Sequence, residues 1–319
     1  MEDIYKIDLI DRKILQELDR NCREPLSMIA KKIKKSKQLV NYRIKKLEQE
    51  DYISGYNTVI DFSKLGLMSF RVYIKLKPLT PEKEKEFVDF LKKQEEIWWL
   101  MSVENICDIA YATLVKDINE FYEHLDKIAK YNNIIKSKQV VIYSHISQFT
   151  KSYISESKTR EIFTIGFSQK TEFDEGDLKL LKIISDNARI SLVDLASKMG
   201  IKPQSVIYRL KKLEERKIIV GYRTNINVEK LGYKNYKIYF NLLNNSKLKE
   251  LESYCLTNLN IVTMNKTIGG ADFEIELQLK NINDLYKILD EIKTKFSSTI
   301  KSYEFGVARE EIKMTYFYS

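Results

Sequence analysis

The chain has 319 residues, 44% apolar and 31% charged, with a formal net charge of +9 and a pI near 9.1. That length suits two or three average domains or four small ones, and the positive excess points to a polyanionic partner, nucleic acid or an anionic membrane surface. Against the membrane, no run approaches the ~18 apolar residues a spanning helix needs, and Met1-Glu-Asp-Ile-Tyr-Lys reads as no secretory signal, so a cytoplasmic protein is expected.

Leu9, Ile10, Ile14, Leu15 and Leu18 fall at helical spacing, and the pattern stops around Asn21 to Pro25. Leu26-Ser-Met-Ile-Ala-Lys-Lys-Ile predicts a short second helix, followed by a turn at Lys34-Lys35. A third helix begins after Ser36, a fitting N-cap, and turns Val40, Ile44 and Leu47 inward. Helix, short helix, tight turn and basic helix make a helix-turn-helix. After Gly55-Tyr56 the period changes: Phe70-Arg-Val-Tyr-Ile-Lys-Leu alternates as a strand, followed by a helix over 82–94 and strands near 98–103 and 108–115. A helix near 119–131 and a strand within 140–147 complete a βαββαβ order, that of a ferredoxin-like fold.

The pattern then repeats. With an offset of 166 and no gap, residues 11–67 match residues 177–233 at roughly 24 of 57 positions, which marks a tandem duplication. The strongest run sets Tyr42-Arg-Ile-Lys-Lys-Leu-Glu against Tyr208-Arg-Leu-Lys-Lys-Leu-Glu. In the second copy Gly200-Ile201 forms the turn, Pro203 suits the first helical position, and Val206, Leu210 and Leu213 face inward. Helices over 246–257 and 283–295 and strands near 261–268, 272–279 and 300–307 follow. The predicted class is therefore α+β, two winged-helix/helix-turn-helix domains (6–61 and 173–227) alternating with two ferredoxin-like βαββαβ domains (62–150 and 228–319). Residues 151–172 read as a polar linker in which Ile162-Phe-Thr-Ile adds a short strand.

In both copies these residues resemble the leucine-responsive/asparagine-synthase regulators, the Lrp/AsnC family. The first run is Asp8, Asp11-Arg-Lys-Ile-Leu, Asn21, Arg23, Ala30, Ser36, Val40, Arg43, Leu47-Glu48, Ile53, Gly55-Tyr56 and Leu65-Gly66. The second is Asp174, Asp177, Leu181, Asn187-Ala-Arg189, Leu195-Ala196, Val206, Arg209, Leu213-Glu214 and Gly221-Tyr222. The resemblance implies DNA binding by the helix-turn-helix, effector sensing, often of an amino acid, by the ferredoxin-like domain, and dimerisation through the sheets. The duplication implies that one chain forms the pair other members make from two, as an intramolecular pseudo-dimer or a higher homo-oligomer. The family's Gly-x-x-Asp turn is Gly269-Gly-Ala-Asp272 in the second copy, but Asn105-Ile-Cys-Asp108 in the first.

Candidate DNA-binding residues on the outer face of the first recognition helix are Ser36, Lys37, Gln38, Asn41, Tyr42, Lys45 and Lys46. On the second they are Lys202, Gln204, Ser205, Tyr208, Arg209, Lys211 and Lys212. Gln and Asn can pair bidentately with adenine, while Lys reads guanine or holds phosphate. Ile207 replaces Asn41 and Asp194 replaces Met28, so the first module is expected to bind DNA more strongly. Gly269, Gly270 and Asp272 are the effector candidates, because glycine admits a ligand close to the backbone and aspartate accepts from an amino group. Trp98-Trp99 reads as sheet core and pairing interface. Cys22, Cys107 and Cys255 form no CxxC pair, and His124 and His145 have no ligand spacing, so neither metal nor cofactor is expected. The competing reading is an enzyme like the sirohaem decarboxylases, which look like relatives with a paired unit of this length. Against it, both recognition helices keep their basic, polar faces, and no GxGxxG or P-loop occurs.

Overall fold

The computed structural model describes residues 6–155, 159–166, 169–185 and 187–317. In the first copy α1 (Leu9–Arg20), α2 (Leu26–Ile33) and α3 (Lys37–Gln49) are followed by β1 (Ile53–Ile60). The N-terminus of α1 is fixed by a capping box, with Asp8 accepting from Asp11 N and Asp11 from Asp8 N. Ser36 caps α3 by accepting from Leu39 N. Ile14, Leu15, Leu18, Ile29, Val40 and Leu47 are fully buried together, each contributing about 1.5–3 kcal/mol. Leu9, which falls at the same helical spacing, is 62% exposed. The second copy repeats the unit in α6 (Glu175–Ser185), α7 (Leu192–Met199), α8 (Pro203–Glu215) and β7 (Ile219–Ile226).

One difference between the copies lies in the backbone. Lys34 ends α2 in the left-handed region (φ +56°), where the second copy has Gly200 at φ +70°. A lysine there carries a cost that glycine does not. Lys34→Gly is therefore expected to stabilise the first module by about 0.5–1 kcal/mol in chemical denaturation, with Gly200→Ala destabilising the second.

Each copy continues into a four-stranded antiparallel sheet. The first holds β2 (Met68–Leu76), β3 (Ile97–Glu104), β4 (Ile109–Val115) and β5 (Ile135–Phe149), with α4 (Pro81–Lys92) and α5 (Ile118–Ala129) packed on its outer face. The second holds β8 (Lys234–Leu242), β9 (Ile261–Ile268), β10 (Phe273–Leu279) and β11 (Ile300–Met314), covered by α9 (Leu248–Thr257) and α10 (Ile282–Phe296). The sheet orders are β5-β2-β4-β3 and β11-β8-β10-β9. They join edge to edge through β3–β11 and β5–β9, closing eight strands into a barrel with no free edge among them. The segment expected to be a polar linker is woven into this body: β6 (Ile162–Ile165) pairs with β5, and Tyr153, Ile154, Phe163 and Ile165 are buried. Residues 156–158 and 167–168 of that segment lie outside the described residues.

The two copies also exchange strands beneath their helix-turn-helix units. β1 pairs with β7 antiparallel, Ile53 opposite Ile226 and Ile60 opposite Ile219, about a pseudo-twofold axis at Asn57 and Arg223. Each unit then docks on the other's strand. Cys22 N donates to Tyr222 O and Ala188 N to Tyr56 O, while Arg23 donates to Ala188 O and Arg189 to Cys22 O. Those arginines also sit 5.4 and 5.1 Å from the centroids of Tyr222 and Tyr56. The matched Asn-x-Arg residues of the duplication therefore tie one copy to the other.

Glu96, just before β3, lies 2.9 Å from His124 Nδ1 and 3.1 Å from Lys127 Nζ. Burial pushes its carboxyl up, but these hydrogen bonds outweigh it and hold the group at about 2. Because the folded value lies below the unfolded one, its stabilisation is complete above about pH 4.5 and is lost as the pH falls toward 2. In thermal melts Glu96→Gln should accordingly lose less Tm than the parent between pH 6 and pH 3.

Candidate nucleic-acid interface

Helix α3 packs inward against α1, α2 and β1, leaving its other face outside. Ser36, Lys37, Gln38, Tyr42 and Lys45 are exposed there, with Asn41 and Lys46 half-buried at the margins. On α8, Lys202, Gln204, Ser205, Tyr208 and Lys211 are exposed and Lys212 is half-buried. The two tyrosines are 59% and 67% exposed, more than a core role would leave them. The structure thus gathers most of the candidates of each copy on one convex, basic face with amide and phenol groups between the lysines.

Arg209 is half-buried. Its guanidinium donates to Asp174 (2.7 Å) and Asp177 (2.6 Å), the pair that caps α6. Arg43 holds Asp8 and Asp11 in the same way at 3.1 and 3.2 Å. Both arginines brace the recognition helix against the first helix of the unit, and Arg209 also borders a surface hollow with Gln204, Ser205, Tyr208 and Lys212. Ile207 stands 48% exposed where the first copy has Asn41, so the two faces offer different chemistry.

The Gly269–Asp272 turn and its counterpart in the first copy are built alike. Asp272 Oδ2 accepts from Leu242 N at 2.7 Å, and in the first copy Asp108 accepts from Leu76 N at 2.6 Å. Gly269 has φ +93° and Asn105, its counterpart, φ +78°, so both turns adopt the left-handed backbone that Asn tolerates. A Cβ on Gly270 would come within 2.6 Å of Val141 Cγ2, so that glycine makes room for β5. These residues shape a turn, and none lines the cavity enclosed by the barrel.

That cavity, about 410 Å³, lies inside the barrel and runs out under β7. Its walls include Arg71, Trp99, Lys237, Glu276, Glu311 and Arg223. Arg71 is 5% exposed, with Trp99 and Tyr143 ring centroids 4.0 and 4.3 Å from its guanidinium carbon. Lys237 Nζ bonds Tyr143 OH (2.8 Å), Glu274 (2.8 Å) and Glu276 (3.3 Å). Burial alone would raise Glu276, but Lys237 and Arg71 hold it below the usual carboxylate range, whereas burial lifts Glu311 above it. Sequence reasoning missed this cluster because Arg71 and Lys237 occupy the polar positions of alternating strands, which read as solvent-facing. In a closed barrel that face points inward.

His124 is spent on Glu96 and Tyr111, and the three cysteines are buried and free. Among the described residues no three His, Cys, Asp or Glu side chains converge as a metal site, and no helix is long and apolar enough to cross a membrane.

Two exposed recognition helices with a paired strand behind them define a DNA-binding regulator of the winged helix-turn-helix class, and a family model described as winged helix-turn-helix DNA-binding matches residues 7–54 and 173–220. The HTH-type transcriptional regulator Ptr1 of Methanocaldococcus jannaschii is 34% identical over 118 residues, 37% of this chain and 80% of that protein. The leucine-responsive regulatory protein of Rhizobium meliloti is 41% identical over 64 residues, 20% of this chain and 41% of that one. The chain belongs to the Lrp/AsnC family, as a tandem of two copies. Among solved structures, the siroheme decarboxylase NirDL shares the fold across 98% of this chain and 94% of that one, with a TM-score of 0.66 at 13% identity.

Proposed function

We propose that the protein is a sequence-reading transcription regulator that sets α3 and α8 in major grooves of one duplex and answers to a small-molecule effector. The observation that carries this reading is the pair of outward, basic recognition helices related by the β1–β7 pseudo-twofold. Lysines of both helices hold phosphates and fix register, while Gln38, Asn41, Gln204 and Ser205 meet base edges. Since Ile207 replaces Asn41, the preferred operator has two unlike half-sites rather than a strict palindrome.

Selection of duplex DNA from random sequence by the purified chain tests this. An enriched bipartite, asymmetric motif, bound with affinity that falls steeply as salt rises, is the expected result. Weak binding with a flat salt dependence overturns it. The second reading, an enzyme acting on a tetrapyrrole, draws on the fold shared with NirDL and on the barrel cavity. Absorbance titration with an iron tetrapyrrole separates the two: a saturable spectral shift at one ligand per chain would favour the enzyme, and none is expected.

A further inference from the structure

The barrel interior is not symmetric, although the two sheets repeat one strand order. Across β2–β4, Arg71 faces Ala112 and Tyr73 faces Ala110; across β8–β10 the same register sets Lys237 opposite Glu276 and Tyr239 opposite Glu274. The stacked guanidinium comes from the first copy alone, and the carboxylates Glu274, Glu276 and Glu311 from the second alone. Two identical chains would have to repeat every charge on both sides of the axis, whereas a fused pair escapes that constraint.

We propose that this interior is a single asymmetric site for a compact zwitterion, a molecule with a carboxylate at one end and an ammonium at the other. The proposal rests on the effector-sensing reading above and places the effector in the barrel instead of the Gly269 turn. Arg71 supplies the first argument. Two aromatic rings pack against its guanidinium, Nε and Nη1 have no hydrogen-bond acceptor among the described residues, and the nearest carboxylate oxygen, on Glu276, is 3.7 Å away. A buried, charged donor without an acceptor is destabilising, and a carboxylate matches the geometry of that edge. Arg223, 8% exposed on the same cavity, likewise leaves Nε without an acceptor.

The opposite end of the ligand is argued from acceptors. Asn265 Oδ1, in a residue 1% exposed, has no donor among the described residues, and Glu276 and Glu311 line the same space. Walls carrying both signs of charge favour a ligand that also carries both. The volume of about 410 Å³ falls in the range of small-molecule pockets, and eight strands leave room for one small ligand. The cavity is also lined by Arg223, Thr224, Asn225 and Ile226 of β7, the strand paired with β1, so a bound ligand touches the element that joins the two helix-turn-helix units.

Isothermal titration of the full chain with free α-amino acids tests the site, using the matching amines and carboxylic acids as one-ended controls. At least one amino acid should bind at one molecule per chain, with its amine and acid bound at least about tenfold more weakly. Arg71→Met keeps most of the stacked volume but removes the donors, and should weaken binding about thirtyfold or more with an unchanged circular dichroism spectrum. Glu276→Gln, should Arg71→Met fail to fold, is expected to weaken it about tenfold, while Asp272→Asn leaves it intact. Two ligands per chain, or no amino acid bound by a chain that still binds DNA, overturns the proposal. So does binding that survives Arg71→Met and is lost in Asp272→Asn, a result that would keep the sensing reading and move its site to the turn. A zwitterion bound in the barrel with no effect on DNA affinity would uphold the site and sink the sensing reading.

Discussion

Alanine at Lys35, Lys37 and Lys45 together should lower the affinity of the full chain for duplex DNA by about a hundredfold near 0.15 M salt. The slope of log K against log salt should flatten by about 2–3, since each phosphate contact contributes close to 0.9. All three side chains are exposed, and none enters an ion pair among the described residues. Lys32, by contrast, is held by Glu17 and Glu24 at 3.1 and 2.7 Å. The same change at Lys202, Lys211 and Lys212 should cost only about tenfold, because Lys211 lies 3.7 Å from Glu215 and Lys212 is half-buried. Gln38→Ala should leave the slope alone and cost about 1–3 kcal/mol of discrimination at one base pair. Gel shifts across a salt series measure all three, and a larger loss from the second triple substitution would reverse the ranking of the modules.

Asp19→Ala should be among the most destabilising single changes in the protein, at about 3–5 kcal/mol in chemical denaturation. Asp19 is 1% exposed and accepts from Arg223 Nη2 (2.7 Å) and Lys151 N (2.6 Å). Burial pushes its carboxyl up, yet Arg223 and Lys151 hold it below the ordinary carboxylate range. Removing it leaves two buried cations facing each other. Arg223→Met should cost less, because Asp19 retains Lys151. With the folded pKa depressed, the stabilisation by Asp19 is complete above the unfolded value near 3.8 and is lost only as the pH falls through the lower folded one. A loss below about 1 kcal/mol for Asp19→Ala would show that this cluster is solvated rather than sealed.

The helix-turn-helix units were legible because their determinants are local. Asp8 with Asp11, Ser36 with Leu39, and the stripe Val40, Ile44 and Leu47 all lie within a few residues of each other. The barrel was only half legible. Strands β5 and β11 read as 140–147 and 300–307 but run over Ile135–Phe149 and Ile300–Met314. Register shifts at Tyr143/His145, Ala308/Glu310 and Glu311/Lys313 interrupt the alternation by which a strand is recognised. Pairing of β3 with β11 joins residues some two hundred positions apart, which no local pattern encodes. The role of Arg209 was within reach: Asp174-x-x-Asp177 repeats Asp8-x-x-Asp11, and each pair is answered by one arginine on the recognition helix.

Strand exchange between the copies has a consequence for how control would respond to abundance. When separate subunits must find each other, the competent pair is dismantled by dilution, and occupancy of an operator falls with a power of the protein's copy number. Here the β1–β7 ribbon and both barrel seams close within one molecule, so their effective concentration is set by the tether and not by the cell. A single translated chain is already a pair, and even a few copies per cell would present two recognition helices together.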